Sequence, residues 1–336
     1  MREWPCSTRT SVQRPRRGTG SARRRRGRPD IVSLLTALLA IAFLAREKPI
    51  RAQSTDVFDR VTHGYANSNG VKIHYATLGR GPLVVMIHGF PDFWYTWRHQ
   101  MAALAGTYQV VAIDQRGYNL SDKPKGRSSY DMDLLVQDVA SVIAHFKQDQ
   151  AIIVGHDWGG FVAWRFAEAH PEKTAALIVC NLPHPRGLMR ELATNVEQQK
   201  NSEYARRFQQ EGSYQALTAD GLARHLQEPG IRTRYVEALK RSDLEAAMHY
   251  YQQNYPKPPY AIDTSPLVKI KSSVLLIHGL KDPYLLPPAL SGTWEWVEQD
   301  LTLVTIPTAG HWVQEDAADV VSGTMKAWLA QHGGGK

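Results

Sequence analysis

The sequence predicts an α/β fold: a mostly parallel central sheet flanked by helices, with an inserted helical lid. Three observations carry this. Short apolar runs alternate with segments of helical spacing, and most of the runs are continuous, as strands buried on both faces require. The alternation breaks once, between Val179 and Val274, over a stretch rich in Gln, Arg, Glu and Tyr. The 336 residues are 43% hydrophobic and 21% charged, which suits a folded domain with a sizeable core and excludes wholesale disorder.

In chain order, residues 1–52 stand apart. Residues 1–51 hold 13 Lys/Arg against 3 Asp/Glu, and the run Arg23-Arg24-Arg25-Arg26 precedes the uncharged stretch Ile31–Ala45. Fifteen residues suit the apolar region of a signal peptide better than a full span, which needs about 20. Ala52 can close a cleavage site. The expectation is therefore export to the periplasm or outside the cell, or anchoring with possible membrane association through residues 31–45; unstructured sequence from a misassigned start codon is the remaining reading. Val61–Ala66 and Val71–Leu78 alternate as strands, with Ser68-Asn69-Gly70 as a hairpin turn between them. The buried runs follow: Leu83–Ile87, Val110–Ile113, Ile152–Val154, Ala175–Val179, Val274–Ile277 and Leu301–Ile306. Helical spacing falls at about 96–105, 131–146, 160–169 and 317–330. Within the interruption, helices are expected near 188–211, 232–240 and 243–253, before Pro256, Pro258 and Pro259 return the chain to the sheet. The expected organisation is a core in two parts, 53–184 and 266–331, around a lid at 185–265, with a flexible tail at 332–336.

Charge and cysteine content exclude several functions. Beyond residue 51 the chain holds 27 Lys/Arg against 29 Asp/Glu, a net −2, which gives no case for a nucleic-acid surface. The two cysteines, Cys6 and Cys180, lie on opposite sides of the N-terminal boundary, which excludes a disulfide framework or a cysteine metal site. No metal-ligand spacing is present, and no metal or organic cofactor is expected.

Ligands of open α/β sheets sit outside the C-terminal ends of the strands. Four runs are followed there by reactive residues. After Ile152–Val154 comes Gly155-His156-Asp157-Trp158-Gly159-Gly160, the small-x-nucleophile-x-small frame of a nucleophile elbow, with Asp in the central place. No G-x-S-x-G occurs, which disfavours a serine esterase. Alone, Asp157 reads equally well as a helix cap. After Leu83–Ile87 comes His88-Gly89-Phe90-Pro91; alone an ordinary turn, in such a fold it brings the N–H groups of Phe90 and Trp158 together as an oxyanion hole. Asp282 follows Val274–Ile277, and His311 lies past Leu301–Ile306 in Gly310-His311-Trp312. The chain order Asp157, Asp282, His311 is nucleophile, acid, histidine. His88, His156 and His278 read as turn or packing residues. Asp114 and Asp122 are rival acids, Asp114 bracing its loop through Arg116.

These motifs, with Asp114-Gln115-Arg116-Gly117-Tyr118, resemble the α/β-hydrolase-fold epoxide hydrolases and their relatives, the haloalkane and haloacetate dehalogenases, over about residues 55–331. The resemblance implies that Asp157 forms an ester with the substrate and that a water activated by His311, oriented by Asp282, hydrolyses it. It also implies two lid tyrosines that donate to the epoxide oxygen. The contexts Tyr204-Ala205-Arg206-Arg207-Phe208 and Tyr235-Val236-Glu237-Ala238-Leu239 point to Tyr204 and Tyr235, with Tyr251 in reserve; Tyr214 and Tyr260 read as packing. Haloacetate dehalogenases carry arginines beside the nucleophile, where this chain has Trp158 and Phe161, so an anionic substrate lacks its clamp. Trp158, Phe161 and Tyr251 are the expected pocket residues and a small apolar epoxide the expected partner. A dehalogenase with the same Asp, an ester or C–C hydrolase using Asp157 as a base, and a non-catalytic binding protein of this fold remain the alternatives. Oligomeric state is not readable.

Overall fold

The computed structural model describes residues 56–332. Eight strands form one sheet: β1 (Thr62–Ser68), β2 (Val71–Leu78), β3 (Leu83–Ile87), β4 (Gln109–Ile113), β5 (Ala151–His156), β6 (Thr174–Cys180), β7 (Val274–Gly279) and β8 (Leu301–Ile306). Their spatial order is β1-β2-β4-β3-β5-β6-β7-β8. The β1–β2 hairpin joins antiparallel, β2 is antiparallel to β4, and every later pairing is parallel. The sequence runs become the central strands for a simple reason: β3, β5 and β7 are buried at every residue, so both faces need apolar side chains.

Two layers cover the sheet. On one face Met132–His145 and Trp158–Ala169 bury Val139, Val142, Trp164 and Phe166 with Val85, Ile153 and Leu177. On the other, Arg98–Leu104 and Ala318–His332 bury Met101, Val321 and Met325 with Val84, Ile152 and Leu275. The alternating sides of each strand supply the two cores, as a period of two requires.

Between β6 and β7 lie the helices Pro185–Thr194, Val196–Asn201, Glu203–Phe208, Ala219–Leu222, Pro229–Arg241 and Leu244–Asn254. The single helix expected at 188–211 is three. Asn195 adopts extended backbone, and its side chain caps the next helix by accepting from the N–H groups of Glu197 and Gln198 at 3.0 and 3.3 Å. Buried polar contacts fasten this lid to the core. The Tyr250 hydroxyl donates to the Arg116 carbonyl at 2.8 Å, and the Tyr235 hydroxyl to Glu315 at 2.7 Å.

The expectation of export or membrane anchoring needs correction. Among the described residues no helix is long and apolar enough to cross a membrane. The segment on which that expectation rested, residues 31–45, lies outside the described residues, so the structure gives neither a signal peptide nor membrane association any support.

Candidate active site

Asp157 sits between the end of β5 and the helix Trp158–Ala169, with φ 51° and ψ −120°. A non-glycine residue in this region is strained, and the tight turn pushes its side chain out above the sheet edge. The frame glycines make room. A Cβ on Gly159 would stand 2.0 Å from the Ile87 carbonyl oxygen, and one on Gly89 would stand 2.3 Å from the Asp157 Cβ.

Three loops then meet. One carboxylate oxygen of Asp157, Oδ1, accepts from the Phe90 N–H at 2.7 Å. The other, Oδ2, lies 3.6 Å from His311 Nε2. His311 Nδ1 is 2.8 Å from Asp282 Oδ2. Asp282 Oδ1 accepts from the N–H groups of Tyr284 and Leu285 at 2.7 and 3.1 Å. The Trp158 N–H opens its helix, where an N–H has no intrahelical acceptor.

The electrostatics follow from these contacts. Burial works against the charge of each carboxylate, but for Asp157 the adjacent His311 outweighs it and holds the acid below its ordinary range. For Asp282 burial is likewise overcome, first by the His311 charge and then by hydrogen bonds from His311 and Asn181, leaving it near about 2. Burial pulls His311 down, yet the charge of Asp282 and the contact with Asp157 raise it to about 10. The resting arrangement is an imidazolium between two carboxylates.

The signs set a pH window. The lowered acid contributes stability that is present above its unfolded value of about 3.8 and is lost as pH falls through about 2. The raised His311 contributes stability that is complete below about 6.5 and is lost as pH rises through about 10. Asp282→Asn should therefore cost most stability between about pH 4 and 6.5. Urea midpoints at pH 3, 5 and 9.5 check this, and a loss independent of pH would contradict it.

Above Asp157 lies a cavity of about 320 Å³. Phe90, Tyr204, Phe208, Tyr251, Tyr284, His311 and Trp312 line it, and Leu222, Arg224 and His225 also contribute to its wall. The Tyr251 ring packs edge-on against Trp158 at 5.0 Å, Phe208 at 5.1 Å and Phe90 at 5.9 Å, and 6.1 Å from Tyr204. Burial raises the phenol of Tyr251 well above its usual value, with Asp157 next in effect, and burial likewise raises that of Tyr204. Both stay neutral donors.

Several expected residues stand elsewhere. Tyr235 does not line the cavity: its hydroxyl bonds Glu315, its ring packs on Phe93 at 5.0 Å, and it belongs to the core on the opposite face. Glu315 is held by Arg98 at 2.8 Å, so Tyr235 completes a buried lid-to-core clamp. Trp158 and Phe161 are not wall residues; Trp158 is buried behind Tyr251, and Phe161 packs on Trp158 at 5.1 Å. Nor does Asp114 brace its loop through Arg116. It takes His74 at 2.6 Å, the Trp94 N–H at 3.0 Å and Asn119 at 2.8 Å, while Arg116 pairs with Asp138. Asp122 accepts from the Lys72 N–H, away from the cavity.

Sequence reasoning missed Asn181. Its amide donates to Asp282 Oδ2 at 2.7 Å and to the Gly310 carbonyl at 3.1 Å, and its oxygen accepts from the Gly279 N–H at 2.8 Å. It ties the acid loop to the histidine loop. Its signal was position: a polar residue immediately past the buried strand β6.

The alpha/beta hydrolase fold family matches residues 82–318. Epoxide hydrolase 1 of Caenorhabditis elegans is 35% identical over 306 residues, covering 85% of this chain and 73% of its own. The AB hydrolase superfamily protein YfhM of Bacillus subtilis is 35% identical over 81% of this chain and 99% of its own. A mutant of an epoxide hydrolase from Bacillus megaterium, solved with its product (R)-3-[1]naphthyloxy-propane-1,2-diol, superposes with a TM-score of 0.71 at 33% identity, covering 80% of this chain and all of that one. The chain belongs to the α/β-hydrolase fold family, among its epoxide hydrolases.

Proposed function

We propose that this enzyme hydrolyses apolar, aryl-bearing epoxides to vicinal diols through an ester on Asp157. The observation that carries the reading is the split use of the Asp157 carboxylate. Oδ1 is held by the Phe90 N–H, and Oδ2 is left facing the histidine. Oδ2 attacks an epoxide carbon, its bond to carbon forms as the ring C–O bond breaks, and the ring oxygen takes a phenol proton. Tyr204 and Tyr251 are the donors, because both line the cavity over Asp157. The phenolate regains its proton from the His311 imidazolium.

Esterification erases the Asp157 charge, one of the two that hold His311 protonated, so the histidine is then poised as a base. It takes a proton from water as the oxygen attacks the ester carbon. The oxyanion forms on Oδ1, against the Phe90 N–H, with the Trp158 N–H as second donor. Collapse releases the diol; the alkoxide is protonated, and Asp157 and His311 return to their ionised forms. The aromatic wall suits an aryl substituent, as in the diol held by the Bacillus megaterium neighbour.

His311→Gln should form the ester and hydrolyse it slowly. Intact mass after incubation with a panel of epoxides and haloalkanes reads the chemistry directly. A gain equal to a whole epoxide, absent when Asp157→Ala is added, is the expected result. A gain equal to a haloalkane less its halide would make the enzyme a dehalogenase instead.

A further inference from the structure

Asp92 is buried beside the site, and the mechanism above does not use it. It follows Phe90-Pro91 and its N–H donates to the Gly89 carbonyl at 3.0 Å, so it is rooted in the loop that supplies the oxyanion donor. Its Oδ2 accepts from the Trp312 indole N–H at 3.2 Å. The same oxygen lies 3.7 Å from His156 Nδ1. His156 Nε2 in turn is 2.9 Å from the His311 carbonyl oxygen, which makes Nε2 the donor and Nδ1 a bare acceptor. Two buried atoms are left without a partner, Asp92 Oδ1 and His156 Nδ1. At 3.7 Å the carboxyl and this nitrogen are in packing contact and are not hydrogen-bonded.

We propose that Asp92 is a positioning residue for His311. It holds Trp312, the next residue along the chain, by a hydrogen bond, and it packs beside His156, which bonds the His311 carbonyl. The arrangement joins the oxyanion loop to the base loop, so the Phe90 N–H and His311 Nε2 keep their relation to the same ester group. The burial of Asp92, followed by the Glu315 and Asp157 charges, favours its neutral form, and burial keeps His156 neutral as well. Neutral partners let the link persist while the charge on Asp157 comes and goes.

The inference rests on the ester mechanism, and it predicts which half-reaction suffers. The probe is phenyl glycidyl ether, with rapid quenching and intact mass to follow ester formation and decay in the full-length enzyme. Asp92→Ala should leave ester formation within about twofold and slow ester hydrolysis roughly 10- to 100-fold, the cost of a misplaced base. Asp92→Asn should restore hydrolysis to within about threefold, because its amide oxygen can take the Oδ2 place and accept from the Trp312 indole N–H. Trp312→Phe, which removes the indole N–H, should slow hydrolysis about fivefold; it also keeps the test decisive if Asp92→Ala does not fold. Equal slowing of both steps, or Asp92→Asn behaving like Asp92→Ala, would overturn the positioning role while leaving the ester mechanism standing. Absence of any ester in wild type and His311→Gln alike would instead remove the mechanism, and this role with it.

Discussion

Asp157→Ala loses turnover by about 10⁴-fold or more, with no mass adduct under any condition. The size follows from what the carboxylate does. It is nucleophile, carrier of the ester and one of the two charges that hold His311 protonated. Nothing else replaces it: Asp282 is turned away, its oxygens taken by His311, Asn181 and two backbone N–H groups. A second consequence is measurable without substrate. With Asp157 gone, the His311 imidazolium loses a partner and its pKa falls from about 10, which the histidine ring resonances would report by NMR. A variant that keeps substantial turnover would mean that water attacks the epoxide directly.

The two lid tyrosines give the second large effect. Tyr204→Phe and Tyr251→Phe each slow ester formation by roughly 10²-fold, and the double variant by about 10⁴-fold, within the usual range for a lost general acid. Tyr235→Phe behaves differently. It leaves ester formation unchanged within about twofold and costs about 1–3 kcal/mol of stability, because Glu315 loses a buried donor while keeping Arg98. Single-turnover rates and urea unfolding on the same four proteins separate the two behaviours. A large rate loss in Tyr235→Phe with none in Tyr251→Phe would reverse the assignment.

That pair also marks where sequence reading reaches its limit. The central strands were legible because parallel strands buried on both faces must be written as continuous apolar runs, and Leu83–Ile87 occurs with the expected ends; the antiparallel Val71–Leu78 was legible from its alternation. Asp157, Asp282 and His311 could be picked out because each lies just past a strand, and the sheet itself carries them to one edge. The lid has no such frame. Which side of a lid helix faces the cavity depends on how that helix rolls on its neighbours, and local spacing does not encode it. Tyr250 and Tyr251 show the point: adjacent residues, one bonded to the Arg116 carbonyl in the core and the other on the cavity wall. Asn181 was missed because its three partners come from distant parts of the chain, which only folding brings within reach.

The close approach at Gly89 separates what can vary in this protein from what cannot. The backbone of the oxyanion loop presses so tightly on Asp157 that no side chain fits between them, so these two segments can change only together. Phe208, Leu222, Arg224 and His225 belong to the lid and are fixed by no such contact with the reacting carboxylate. Selection for a new substrate can therefore act on these four lid positions while Asp157, His311 and the donor tyrosines stay unchanged. Diversity confined to those four positions should change which epoxide is accepted far more often than it abolishes chemistry.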